Sequence, residues 1–301
     1  MAAILALLSS ALWGSADFAG GLVSRRLRAT VVVAVSQSLA LVVIVVWVLW
    51  LGAEHAPHGY LPWAAAAGVV GPLALVAFYA ALASGTMGVV APIAAAGVVV
   101  PVMIGLVGGD RPSPEQDLGI ALAILGVVLA SGPELRPAGG EAPEAARVRA
   151  VALALVAAVG FGLVLWFVAR AGRTSVPMTL LTQRGVSAAT MGLVLLLAAA
   201  RRSARPPGGE RFETAYARLR WSDLPVLAAI GIADAAANGT FAKASTEGLL
   251  AVVSVLGSLY PVATAVLARV VLGERLMRVQ IAGVSVALSG IVVIGLAGGA
   301  G

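Results

Sequence analysis

Apolar runs of about 18–25 residues recur from one end of this 301-residue chain to the other, each long enough to cross a bilayer core of about 30 Å as a helix. A membrane barrel would need strands that alternate apolar and polar residues, and these runs do not alternate. Only 11% of the residues are charged, where a soluble domain carries about a quarter. The sequence therefore predicts an all-α polytopic membrane protein. The first basic residue is Arg25, so the opening run lacks the charged start of a signal peptide and reads as a retained first span.

Ten spans can be drawn, at about 2–22, 31–51, 62–84, 88–107, 117–131, 150–170, 176–200, 222–243, 248–271 and 278–297. Two polar interruptions stand out. Residues 132–149, GPELRPAGGEAPEAARVR, mix Pro, Gly and charge and read as a surface linker. Residues 201–220 form a second, strongly basic loop. The first linker divides the chain into 1–131 and 150–301, with five spans on each side.

The halves repeat one another. Gly88, Gly97 and Pro101 answer Gly248, Gly257 and Pro261 at an offset of 160. Gly109, Asp110, Gln116, Gly119 and Gly126 then answer Gly273, Glu274, Gln280, Gly283 and Gly290 at 164. The step of four is about one helical turn, which lengthens a helix while roughly keeping its face. LWG at 12–14 answers GFG at 160–162 more weakly. Five is odd, so the second copy enters the membrane from the other side. The expected architecture is ten transmembrane helices as two inverted-topology five-helix repeats, an arrangement typical of secondary transporters with a site between the halves. A duplication that merely enlarged a membrane scaffold is the plainer alternative.

Charges inside the spans are site candidates, because a charge at mid-bilayer is costly. Asp17 shares a helix face with Trp13, four residues earlier. An aromatic plate beside a carboxylate suits a cationic or amphipathic solute, or a proton carrier; hydration of Asp17 near the headgroups is the competing reading. Asp234 shares a face with Asn238, deep in span 8, and their repeat partners at the offset of 160 are Ala74 and Phe78, both apolar. That polarity belongs to the second half alone, which favours function over a structural interhelical hydrogen bond. Arg184 in span 7 could pair with Asp17 or Asp234, grip a substrate carboxylate, or snorkel to a surface. Pro101 and Pro261 each remove a helical hydrogen bond at mid-span and read as kinks or hinges, and Tyr260 could point into a cavity. Glu274 with Arg275 reads as a local ion pair.

Other features carry less. His55 and His58 form an H-x-x-H pair in a loop without further ligands, so no metal site is expected. The absence of cysteine removes disulfide and thiolate chemistry. Lys243 is the only lysine, so no phosphate loop and no ATP motor can be written, and no hydrolase or metalloprotease motif occurs. The net charge of +6 reads as loop arginine at a cytoplasmic surface, not as a nucleic-acid footprint. Arg25, Arg26, Arg28, Arg136, Arg147, Arg149, the six arginines of 201–220, Arg275 and Arg278 fall in loops after spans 1, 5, 7 and 9. The positive-inside rule places those loops in the cytoplasm and both termini outside.

WGSADF in span 1, GVVAPIAAAGVVVPV, GLLAVVSVLGSLYPV and GERLMRVQIAG together resemble the EamA-type repeat of the drug/metabolite transporter superfamily, over nearly the whole chain as two copies. The resemblance implies a ten-helix carrier with a central cavity that moves small metabolites, often outward. The expected function is secondary, non-ATP transport by alternating access across a bacterial plasma membrane, with export of an amino-acid-like or amphipathic solute. The expected binding residues are Trp13, Asp17, Arg184, Asp234, Asn238 and Tyr260. The expected partners are the solute, protons and the bilayer, with a homodimer allowed and no cofactor. A channel or a non-transporting membrane scaffold is the alternative, with an intramembrane enzyme behind both.

Overall fold

The computed structural model describes residues 1–84, 90, 93–109, 111–130, 144–203, 219–272 and scattered positions between 278 and 293. Among them every regular element is a helix. The long helices are α1 (Ala2–Ser24), α2 (Ala29–Leu51), α3 (Leu61–Ser84), α6 (Glu144–Gly172), α7 (Val176–Ser203) and α8 (Leu224–Glu247). Shorter ones are α4 (Val99–Val107), α5 (Pro114–Ala130), α9 (Leu250–Gly257) and α10 (Tyr260–Leu272). Among the described residues six helices are long and apolar enough to cross a membrane. Large exposed apolar side chains, such as Val42, Val46 and Leu49 on α2 and Leu193 and Leu196 on α7, suit a lipid-facing coat.

Local chemistry sets several boundaries. α2 stops at Gly52, whose φ of 59° is the left-handed conformation that glycine adopts without a Cβ penalty. At the start of α5, Ser113 and Gln116 form a reciprocal capping box: the Gln116 N–H donates to Ser113 Oγ at 3.3 Å and the Ser113 N–H donates to Gln116 Oε1 at 3.0 Å. α6 begins at Glu144, inside the segment read from sequence as linker. Glu-Ala-Ala is a good helix start, because the acid complements the positive end of the helix dipole.

Spans 4 and 9 are not the continuous helices expected. A 3-10 turn at Ala96–Val98 precedes α4, and Ser258 and Leu259 separate α9 from α10. Proline explains both. Pro101 and Pro261 have no N–H to offer the carbonyls of Gly97 and Gly257, four residues earlier, so each helix breaks there and restarts with proline in its first turn. Span 10 and the pair Glu274–Arg275 lie largely outside the described residues.

The packing follows one scheme. α1 runs antiparallel to α8: Ser9 Oγ donates to the Ala237 carbonyl at 2.9 Å, and further along Arg26 is ion-paired to Asp223. α6 runs antiparallel to α3, with Trp63 against Trp166 at one end and Phe78 against Phe161 further along. α2 lies beside α8 and α7 beside α3. Both of those crossings turn on a glycine. A Cβ on Gly231 would sit 2.0 Å from the Ser36 carbonyl oxygen, and a Cβ on Gly68 would sit 2.7 Å from the Gln183 carbonyl oxygen. Such close approach of backbones is how helices associate in lipid, where no hydrophobic force draws them together.

Candidate functional site

The two glycine crossings place the residues that follow them at the centre of the bundle. One position after Ser36 is Gln37, and one after Gln183 is Arg184. Both face a cavity at the centre of the bundle. Its lining comes from α1 (Trp13, Asp17), α2 (Gln37), α7 (Gln183, Arg184, Ser187), α8 (Asp234, Asn238) and the start of α10 (Tyr260). Leu75, Val98, Phe161 and Leu165 supply apolar wall.

Arg184 is the largest fully buried side chain described, at 2% exposure. Its Nη1 donates to Asp234 Oδ2 at 2.6 Å and also to Gln37 Oε1. Gln37 Nε2 donates to Asp234 Oδ2 at 3.0 Å, and the Trp13 indole N–H donates to Asp234 Oδ1 at 3.2 Å. Asn238 Nδ2 donates to the Asp234 carbonyl at 2.7 Å and reaches Oδ1 at 3.3 Å. Gln183 Nε2 donates to Asn238 Oδ1 at 3.4 Å. Asp234 is therefore the hub of a network drawn from four helices. A buried arginine without that carboxylate would be an uncompensated charge in a low-dielectric interior.

The network is incomplete. Arg184 Nε and Nη2, Gln183 Oε1 and the Tyr260 hydroxyl are buried with no hydrogen-bond partner among the described residues. Buried polar groups normally find partners. Two guanidinium donors and a hydroxyl are thus left without partners on residues that line the cavity. Asp17 stands apart from the hub and shares a hydrogen bond with Tyr79 on α3, while Trp13 packs its ring on Phe241 at 5.7 Å.

All six residues singled out from the sequence line this one cavity. Of the two acids open to Arg184, the structure joins it to Asp234. Gln37 and Gln183 were missed, although Ser36-Gln37-Ser38 is a polar triplet in the apolar run VVVAVSQSLALVV and flagged itself. Pro101 lies in the third position of α4 and Pro261 in the second of α10, each beside a helix break next to the cavity. His55 and His58 sit in short turns between α2 and α3, away from it.

Comparison with known proteins agrees with this architecture. The model of the EamA-like transporter family matches residues 1–132 and 148–296. A protein known from a crystal structure shares the fold at a TM-score of 0.69 and 18% identity, over 98% of this chain and 96% of that one. No curated protein sequence matches. The match spans nearly the whole chain, so the chain belongs to the EamA-like transporter family.

Proposed function

We propose that this member of the EamA-like transporter family, an integral membrane transporter of small solutes, is an ATP-independent carrier that exports amino-acid-like or amphipathic solutes by alternating access. The observation that carries this is the Arg184–Asp234 pair in a buried cavity, with Arg184 Nε and Nη2 unsatisfied. That edge of the guanidinium matches a carboxylate, which accepts two parallel N–H bonds in a fork. Asp17 and the Trp13 ring stand ready for a cationic or apolar part of the same molecule. The six residues Trp13, Asp17, Arg184, Asp234, Asn238 and Tyr260 are the proposed binding set, and Asp17 is the proposed proton carrier.

Alternating access rests on a further reading, that the halves 1–131 and 150–301 are inverted repeats of five helices each. Exchanging α1 with α6, α2 with α7 and α3 with α8 maps the packing onto itself: α1 on α8 becomes α6 on α3, and α2 on α8 becomes α7 on α3. Such a pair of bundles can rock about a fixed central site. The helix breaks before Pro101 and Pro261 lie where the bundles would bend. The basic loops on one side favour a plasma-membrane orientation with those loops in the cytoplasm.

Counterflow tests the reading. Purified protein in proteoliposomes loaded with a mixture of unlabelled amino acids should take up labelled amino acids against their own gradient, with saturation. Uptake that neither saturates nor exchanges would replace the carrier by a channel, and no uptake of any zwitterion would remove the proposed solute class.

A further inference from the structure

A second cavity opens at the end of the bundle where α3 begins and α6 ends, with about 720 Å³ of empty space. Its polar wall is made by Arg170 and Arg173, three positions apart and so on one side of the helix end. The Arg170 guanidinium lies 5.9 Å over the Trp63 ring, and Trp63 meets Trp166 edge-on at 5.2 Å. Both tryptophans line the cavity, and α9 starts at its edge with Leu250. Neither Arg170 nor Arg173 has an ion pair or hydrogen bond among the described residues. The nearby Lys243 is already paired with Glu247 at 3.1 Å. Two guanidiniums without carboxylates, in a walled cavity and backed by aromatic rings, form a cationic receptor.

We propose that this cavity is an oxyanion site, separate from the central one, where Arg170 and Arg173 hold a phosphate group and Trp63 and Trp166 wall its organic part. Two adjacent guanidiniums present several N–H donors to one group with several acceptor oxygens, which favours phosphate. The positive N-terminal end of α9 adds the same sign of field. The position at a helix end, with tryptophans alongside, puts the site at headgroup depth. A phospholipid headgroup and a soluble organic phosphate present the same chemistry.

The test is binding to the purified full-length protein, and it does not depend on transport. Retention of phosphatidylglycerol against phosphatidylcholine is counted by native mass spectrometry, and binding of glycerol phosphate is measured by equilibrium dialysis. Lys243→Gln removes one positive charge from the same end of the bundle, outside the cavity, and matches Arg173→Gln alone in charge. The expected result is that Arg170→Gln/Arg173→Gln weakens retention of phosphatidylglycerol about tenfold or more while Lys243→Gln leaves it unchanged. Saturable glycerol phosphate binding without lipid preference, lost in the same double variant, supports the site with a soluble source. Where the double variant does not fold, Arg173→Gln alone, exposed beyond the end of α6, is read the same way. The proposal is overturned if wild type binds neither probe, if the double variant binds both as wild type does, or if Lys243→Gln loses as much as the double variant.

Discussion

α3 and α8 are built alike and equipped differently. Both are 24 residues long, open on Leu-Pro and lay a glycine, Gly68 or Gly231, against the backbone of a neighbour. Three positions after that glycine α3 has Gly71 where α8 has Asp234, and seven positions after it α3 has Leu75 where α8 has Asn238. The shared glycines hold the frame, and the polar hub sits on one helix only. Packing alone would have been served by two apolar helices, and the proposed binding role gives the cost of burying Asp234 and Arg184 a reason. On the proposed repeat, the offset of 160 pairs Asp234 and Asn238 with Ala74 and Phe78, while a pairing by the two glycines puts them opposite Gly71 and Leu75; all four are apolar.

The sharpest way to break this contrast is to remove the hub. Asp234→Ala leaves Arg184 buried without its carboxylate and should destabilise the protein by about 3–5 kcal/mol and abolish transport. Gly71→Ala, at the matching place on α3, should do neither. Asp234→Leu combined with Arg184→Met should recover stability in detergent but not counterflow, separating the structural from the transporting role. Recovery of both would mean that the pair only packs.

The frame gives the next effect. Gly231→Ala and Gly68→Ala should both destabilise by overpacking, by about 1–3 kcal/mol, with Gly231→Ala the worse because its Cβ would meet backbone oxygen at 2.0 Å rather than 2.7 Å. Thermal unfolding of the two variants decides the order, and a larger loss at Gly68 would contradict it. A smaller change is expected of Trp13→Phe, which keeps the ring and loses the indole bond to Asp234. It should cost about 1 kcal/mol and raise half-saturation more than it lowers maximal rate.

The smallest effect lies outside the spans. The Ser113 hydroxyl donates to Glu115 at 2.7 Å and holds its carboxyl below the ordinary carboxylate range. A lowered folded value means that the contribution is complete above the unfolded value, about pH 4.3, and is lost as pH falls through the folded one. The gap in unfolding temperature between wild type and Ser113→Ala should be flat from pH 8 to about 5 and narrow below about 4. A gap that grows on acidification would refute this assignment.

Much of this was legible in the sequence because membrane burial makes polarity conspicuous. Asp17, Arg184, Asp234 and Asn238 stood out as charge or amide in apolar runs, and Trp13 and Tyr260 by their spacing or by a neighbouring proline. The helix breaks were only half legible: Pro101 and Pro261 announced a kink, but whether the helix bends or stops depends on the carbonyls they leave unpaired. Gln37 stood in a visible polar triplet, Ser36-Gln37-Ser38, but an uncharged amide in a span is less costly than an ion and signals function less strongly. Its role needs a partner 147 positions away, and no local pattern carries that.

Binding of the solute at the Asp234 hub is decided by comparing small molecules released from cells expressing wild type with those from cells expressing Asp234→Asn at equal membrane level. At least one amino-acid-like solute should accumulate outside with wild type and not with the variant. Equal accumulation of every such solute from both would contradict it.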